Sequence, residues 1–426
     1  MRNVENKLTL FRSVIYLGLS QLINFVSPLL ITPYLLRTIG IEKFGLVMLA
    51  QGVMNFTVIL TDYSFNLTST QSASVRRNDL PFLNQLYNDV TSVRLFLVII
   101  GFILILFLTF VIPNFSDNRY LFLLSYAIVV GKFLIPVWFL MGIEKSHIIT
   151  YANTISRLIT YSLIFTLVKS KGDYIIINLL WATGEIIIGL IGISFIKKNY
   201  KISTNLTFKW KPIQVQLHDG WAVFSTNALN ALYINSNLFI LSIFANGQIL
   251  GSYAVAEKVM LLIKQIYGVL TQATYPYACR LAVVSQKEFN RFLTYEFYSC
   301  LIIFTGLGLL CFGEANTLIK FIVGKENSEA ASLLRYLSFI PLIISLNLPA
   351  YQTLVINRFN RSYLPIIGVG AILNLLLNFL LVPLYLAIGT TISIAITEIF
   401  ITVGLHVILF NKHTDKRLSL LPQKLF

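Results

Sequence analysis

Eight charged residues stand inside otherwise apolar stretches of the chain: Asp62, Lys132, Arg157, Glu185, Glu257, Lys258, Lys264 and Glu398. Four are cations and four are anions. If those stretches are bilayer helices, each charge costs about 2.5–3.5 kcal/mol to place at a helix centre. Such side chains can do two kinds of chemistry. They can neutralise one another across a helix bundle, or they can line an aqueous path and handle a charged ligand or ion. For any one residue both readings stand open, although eight charges introduced only to cancel is the weaker account of the whole set. The stretch AVAEKVMLLIKQIYG (254–268) is the most informative. Glu257 and Lys264 are seven residues apart, which puts them on one helical face two turns from each other, with Tyr253, Met260 and Gly268 on the same stripe. Lys258 points roughly 100° away. A stripe of this kind must face protein or water, because lipid would leave its charges unsolvated.

The elements that hold these residues follow from composition. The chain has 426 residues, 56% hydrophobic and only 12% charged, and its mean hydropathy is +0.75. So few charges cannot cover the surface of a soluble protein this long. About twelve mostly apolar runs are long enough for a bilayer core of about 30 Å: 12–34, 44–65, 92–112, 120–141, 148–168, 174–196, 221–244, 249–275, 292–312, 332–356, 362–384 and 388–410. Counting Lys and Arg in the connections gives a bias of about three to one toward the side that carries both termini, which the positive-inside rule assigns to the cytoplasm. Arg94 counts among these connecting cations. The net charge of +15 is then mostly topology. It points to anionic lipid headgroups and not to nucleic acid. The first run is long, has polar flanks and lacks a small-residue cleavage site, so it reads as a retained helix. Cys279, Cys300 and Cys311 and the four histidines show no metal-ligand spacing.

Every expected connection is short, the longest being 66–91, 197–220 and 313–331, which leaves no room for a soluble catalytic domain. The basic segment 201–220 divides a six-helix lobe, 1–200, from a second, 221–426. An internal repeat supports the division. GIEKFGLVMLAQGVM (40–54) aligns with GQILGSYAVAEKVM (247–260), and NQLYNDVTSVRLFLVIIG (84–101) resembles NRFLTYEFYSCLIIFTG (290–306). The repeats run in parallel, one of the standard plans of transporters. Polar positions recur within helices: Ser20, Gln21, Asn24 and Ser27 in the first, and Asn227, Asn230, Asn235 and Asn237 in the seventh. Interhelical hydrogen bonding accounts for most of them. Trp138, Trp181, Tyr233 and Tyr267 could stack on a sugar face or simply pack. Pro28, Pro33, Pro136, Pro341 and Pro349 interrupt runs and free backbone carbonyls.

Several segments together carry a resemblance: PYLLRTIGIEKFGLVMLAQGV (33–53), TDYSFNLTSTQSAS (61–74), WFLMGIEKSHIITYANTISRLI (138–159), LGSYAVAEKV (250–259), TQATYPYACRL (271–281) and GTTISIAITEIF (389–400). In their order and spacing these resemble the O-antigen flippases of the polysaccharide transporter family, within the exporter superfamily that also holds multidrug antiporters and the peptidoglycan lipid flippase. The resemblance implies an all-α integral membrane protein whose helices form two pseudo-symmetric six-helix lobes around a central cavity. It implies a transporter of the bacterial inner membrane, not an enzyme. The implied cargo is an undecaprenyl-pyrophosphate-linked oligosaccharide, moved from the cytoplasmic to the periplasmic leaflet by alternating access. It implies no cofactor beyond a coupling H+ or Na+, and a polysaccharide polymerase or glycosyltransferases could dock alongside. On that basis Lys132, Arg157, Lys258 and Lys264 are candidate contacts for a diphosphate, with Arg37 at the outer end of the first helix as an outlying one. Asp62, Glu185, Glu257 and Glu398 would bind the coupling cation or balance charge. Two other functions compete: a multidrug or cation antiporter of the same superfamily, and a membrane-embedded polymerase or glycosyltransferase. The basic residues weigh against the first, and the small external segment 313–331 weighs against the second.

Overall fold

A computed structural model of the chain is helical throughout, with no strand among the described residues. It describes the backbone of residues 2–203, 210–357 and 359–414, and side chains from 30 to 411 except at 114, 204–213, 215, 230, 233–234, 272, 358 and 360–361. Ser20, Gln21, Asn24, Ser27, Pro28, Asn230 and Tyr233 therefore lie outside the described side chains.

In a bilayer every backbone polar group must be satisfied within the protein, and the helix does this locally. The elements are α1 Arg2–Asp62, α2 Phe65–Val75, α3 Leu80–Val111, α4 Pro113–Asp117, α5 Arg119–Ser125, α6 Ala127–Leu134, α7 Val137–Gly142 and α8 His147–Leu167. A 3-10 turn, Lys171–Ile176, leads into α9 Ile177–Tyr200. Then come α10 Trp210–Phe244, α11 Gly247–Val284, α12 Gln286–Gly313, α13 Ala315–Val323, α14 Ser328–Leu337, α15 Ile340–Ile356 and α16 Asn360–Thr414. The chain forms two compact units, Met1–Ala231 and Leu232–Phe426.

Two of these helices are too long to cross a membrane once. At about 1.5 Å per residue, the 61 residues of α1 and the 55 of α16 each exceed twice the depth of a bilayer core. Each is divided by one residue outside helical geometry: Gly40 (φ 81°, ψ 164°) in α1 and Leu386 (φ 51°, ψ −130°) in α16. Gly40 adopts its positive φ without a Cβ penalty. Leu386 is strained there, and the turn around it is held by a close backbone approach. A Cβ on Gly389 would lie 2.4 Å from the carbonyl oxygen of Leu381 and 2.6 Å from its carbon, so the turn closes only because that residue is glycine. Gly389→Ala is expected to lower the amount of folded protein in membranes severalfold, read by detergent-extraction size exclusion, while Ala387→Gly, outside that contact, leaves it near normal.

Once α1 and α16 are divided, each expected apolar run falls on one helix or, for 44–65, 120–141, 174–196 and 332–356, on consecutive helical elements with short breaks. The helices overrun the runs, because hydropathy marks only the length that lies in lipid. The expected connections 66–91, 197–220 and 313–331 are consequently largely helical. The first is occupied by α2 and the start of α3, and the second by the end of α9 and the start of α10. In the third, α13 buries Ala315, Ile319 and Val323 on one stripe and pairs Lys320 with Glu326 at 2.9 Å in its exposed surroundings. Of the repeat segments, Gly40 precedes the second half of α1 and Gly247 opens α11, while 84–101 and 290–306 lie in α3 and α12.

Within the first unit, Leu83, Tyr87 and Val90 of α3 pack with Trp138 and Phe139 of α7. Trp138 is 1% exposed and edge-on to Phe139, a packing residue with no face left for a sugar. Within the second unit, Ala350 and Leu354 of α15 meet Leu405 and Leu409 of α16. Outward faces are apolar, as Phe110 (75% exposed) and Ile302 (71% exposed) illustrate, which suits lipid and not water.

Candidate functional site

The first unit gathers its charges around a break in a helix. Pro136 has no N–H and disfavours helical geometry in the residue before it, so Ile135 turns extended (ψ 114°) between α6 and α7. Two carbonyls at the break accept from Arg94 of α3. Its Nη2 donates to the Lys132 carbonyl at 3.1 Å and its Nη1 to the Ile135 carbonyl at 3.4 Å. The same Nη2 lies 2.5 Å from Oδ1 of Asp62, at the end of α1, and the arginine side chain is 5% exposed. Arg94 is thus a buried structural cation and not one of the connecting cations that set topology.

Beside it, Lys132 Nζ of α6 pairs with Glu185 Oε1 of α9 at 2.8 Å. Arg157 of α8 donates from Nε to Asn153 Oδ1, one turn away, at 3.1 Å. These groups line one cavity of about 140 Å³, together with Ile135, Val137, Ile149 and Ile188. Of the sequence candidates it brings together Asp62, Lys132, Arg157 and Glu185, and it adds Arg94. Its charge does not cancel: three cations face two carboxylates, and Arg157 has no carboxylate within 4 Å among the described residues. Arg94 Nε and Glu185 Oε2 are buried there without a hydrogen-bond partner. Such a site can accept an anion or a chain of waters.

The second unit holds the other four candidates. Lys264 Nζ of α11 lies 3.3 Å from Oε1 of Glu398 in α16. Glu257, adjacent to Lys258 in the chain, accepts from the hydroxyl of Tyr253, one turn earlier and fully buried, at 3.0 Å. Lys258 has no carboxylate within 4 Å among the described residues. The eight charges therefore divide. Two candidate cations are paired, Lys132 and Lys264, and two are not, Arg157 and Lys258.

Two further buried polar groups lie in this unit, and of their members the sequence reading singles out only Asn237. Asn378 donates to Asn237 at 3.0 Å and to Asn374 at 3.2 Å, and Asn374 reaches the Thr397 hydroxyl at 3.4 Å, joining α10 to both halves of α16. Separately, Glu296 of α12 accepts from Gln352 of α15 at 3.2 Å and is bonded to the Thr274 hydroxyl of α11. Outside the spans, Asp79 caps α3 by accepting from the Phe82 N–H at 3.0 Å. That bond and the Arg76 guanidinium beside it hold the Asp79 carboxyl below the usual aspartate range.

Comparison with known proteins gives consistent relatives. The sequence profile of a family described as "Polysaccharide biosynthesis protein" matches residues 10–282. A protein of Escherichia coli (strain K12) named "Putative O-antigen transporter" is 27% identical over 399 residues, covering 93% of this chain and 96% of its own length. A protein of the same name from Shigella dysenteriae is 29% identical over 393 residues, covering 92% of this chain and 97% of its own. Among solved structures, the fold is similar to that of the lipid II flippase MurJ in an inward closed conformation. The TM-score is 0.68 at 15% identity, over 93% of this chain and 87% of that one. It is also similar to an inward-facing multidrug resistance MATE family transporter of the MOP superfamily. There the TM-score is 0.65 at 15% identity, over 91% of this chain and 96% of that one.

Proposed function

The chain belongs to the polysaccharide biosynthesis protein family, and from that membership we propose that it is a flippase for lipid-linked oligosaccharides. It is a multi-pass membrane transporter and not an enzyme, and its relatives carry the name of O-antigen transporters. In this reading the cargo is a polyprenyl-pyrophosphate-linked repeat unit. It passes from the cytoplasmic to the periplasmic leaflet of the inner membrane, both chain termini being cytoplasmic, by a cycle that exposes the binding residues to one side and then the other.

One observation carries the reading: Arg157, which lines the cavity of the first unit, and Lys258 of α11 are cations with no carboxylate within 4 Å among the described residues. A diphosphate leaving its hydration shell needs such groups, because charge-assisted hydrogen bonds must replace the lost water. Arg157 offers the planar donor fork that matches phosphate oxygens. Lys132 and Lys264, held against Glu185 and Glu398, are reserve cations that can reach the cargo by leaving those carboxylates. Asp62 keeps Arg94 in place, and Glu257, bonded to Tyr253, offsets Lys258. A multidrug antiporter would be served better by an acidic, aromatic pocket than by the cation excess around Arg157.

The experiment is to locate lipid-linked repeat units in cells depleted of the protein, with an impermeant periplasmic label or a glycan-cleaving enzyme. Repeat units shielded on depletion and exposed again on restoring the protein are expected. Intact units that reach the periplasm during depletion and stay unpolymerised would sink the flippase reading and favour a polymerising enzyme.

A further inference from the structure

Of the four carboxylates singled out in the sequence, Asp62, Glu185 and Glu398 each pair with a cation, and Glu257 has Lys258 next to it in the chain. Glu296 is built differently. It is 8% exposed, ten residues into α12, and no Lys, Arg or His lies within 4 Å of it among the described residues. Its Oε1 is doubly served, by Gln352 Nε2 at 3.2 Å and by the Thr274 hydroxyl. Its Oε2 is buried with no partner, and so is Oε1 of Gln352, a residue only 1% exposed. Two acceptor oxygens thus lie orphaned on the two side chains of one contact.

The hydroxyl of Thr274 sharpens the point. It has a single proton, yet three acceptors surround it: the Leu270 carbonyl at 3.0 Å, the Thr271 carbonyl at 3.2 Å and Glu296 Oε1. A helical threonine ordinarily gives its proton to the preceding turn. When it does, two oxygens face each other across the Thr274–Glu296 contact with nothing between them. A proton on the carboxyl, or a cation bound to both, removes the conflict.

We infer that Glu296, Thr274 and Gln352 form a monovalent-cation site, taking a proton or a sodium ion, where α11, α12 and α15 meet. A bare carboxylate in this setting carries a desolvation penalty of several kcal/mol with no ion pair to offset it. One positive charge neutralises it. A divalent ion would leave an excess charge in an apolar surround. The donors are all hard oxygens, from a carboxylate, a hydroxyl and an amide, which suit an alkali ion and not a thiophilic metal. The other titratable side chains within electrostatic reach of Glu296 are Tyr267 on α11 and Cys300 on α12, with Tyr351 on α15 beside Tyr267. None of them supplies positive charge. Occupancy ties three helices of the second unit to one ion, and its loss releases them.

The site is tested by ion binding, so its outcome is separate from that of the saccharide reading. The full-length protein in lipid nanodiscs is examined by infrared difference spectroscopy at neutral pH, with sodium exchanged for choline, as wild type and as Glu296→Gln. If the ion is a proton, the wild type shows a protonated-carboxyl band that Glu296→Gln lacks and that sodium does not change. If it is sodium, the wild type gives a saturable sodium response whose apparent affinity falls at least tenfold in Glu296→Gln. Gln352→Met, similar in volume, is expected to weaken whichever signal is present and serves as the second variant. Spectra of wild type and Glu296→Gln that are identical in the carboxyl region under every condition would overturn the proposal.

Discussion

Arg157→Ala is expected to reduce export of lipid-linked repeat units roughly 10- to 100-fold without lowering the amount of protein in the membrane. That range is what loss of charge-assisted hydrogen bonds, worth about 1.5–3 kcal/mol, predicts for the step in which the cargo head is held. The residue is chosen because its removal leaves no carboxylate unpaired: its described contact is with Asn153, one turn away on the same helix. Folding should therefore tolerate the change. Arg157→Lys should recover part of the activity, since a point charge replaces the fork but not its geometry. Export is measured by periplasmic accessibility of the repeat units and protein level by an epitope tag. Normal export by a normally abundant Arg157→Ala protein would remove this residue from cargo binding.

Arg94→Leu should act in the opposite way, on abundance before activity. The substitution takes the ion pair from Asp62 and the side-chain donor from the Ile135 carbonyl at the Pro136 break, while the Lys132 carbonyl keeps the Ile135 N–H. Removing one partner of a buried pair costs roughly 3–5 kcal/mol, a large part of the ~5–15 kcal/mol by which a typical domain is stable. Little folded protein is expected. The double variant Arg94→Leu/Asp62→Leu should regain a measurable share of it, because no charge is then left alone. Equal loss in the single and double variants would show that the arginine matters for the carbonyls and not for the aspartate.

The two residues differ in how readily the sequence reveals them. Arg157 sits in the middle of an apolar run and stands out at once. Arg94 sits near the edge of the run 92–112 and passes for a connecting cation. The helix that carries it starts at Leu80, a start marked by the Asp79 cap and by Pro81 in the first turn. Counted from that cap, Arg94 lies fifteen residues into α3. Glu296 escapes for the same reason: Ser285 caps α12 by accepting from the Glu288 N–H, which puts Glu296 ten residues in and not at a boundary. Hydropathy therefore marks the apolar runs, all of which fall on helices, but misjudges helix ends, and polar residues near those ends are assigned to water. Helix caps carry the missing information. Partner identity is a different matter. That Lys132 meets Glu185 and Lys264 meets Glu398 depends on which helices touch, and no spacing along the chain encodes it.

These partnerships also have a consequence in time, during synthesis. Arg94 and Asp62 are 32 residues apart, whereas Lys264 and Glu398, in α11 and α16, are 134 apart. At about 5–20 residues per second, the ribosome delivers Glu398 on the order of ten seconds after Lys264. During that interval α11 holds a lysine whose carboxylate does not yet exist. It must wait at the insertion machinery or at the membrane edge, while α1 and α3 can settle almost as soon as they emerge. Biogenesis of the second unit is therefore paced by its final helix, and a chain truncated before residue 398 should stall as an insertion intermediate bound to its chaperones instead of persisting as a half-folded transporter.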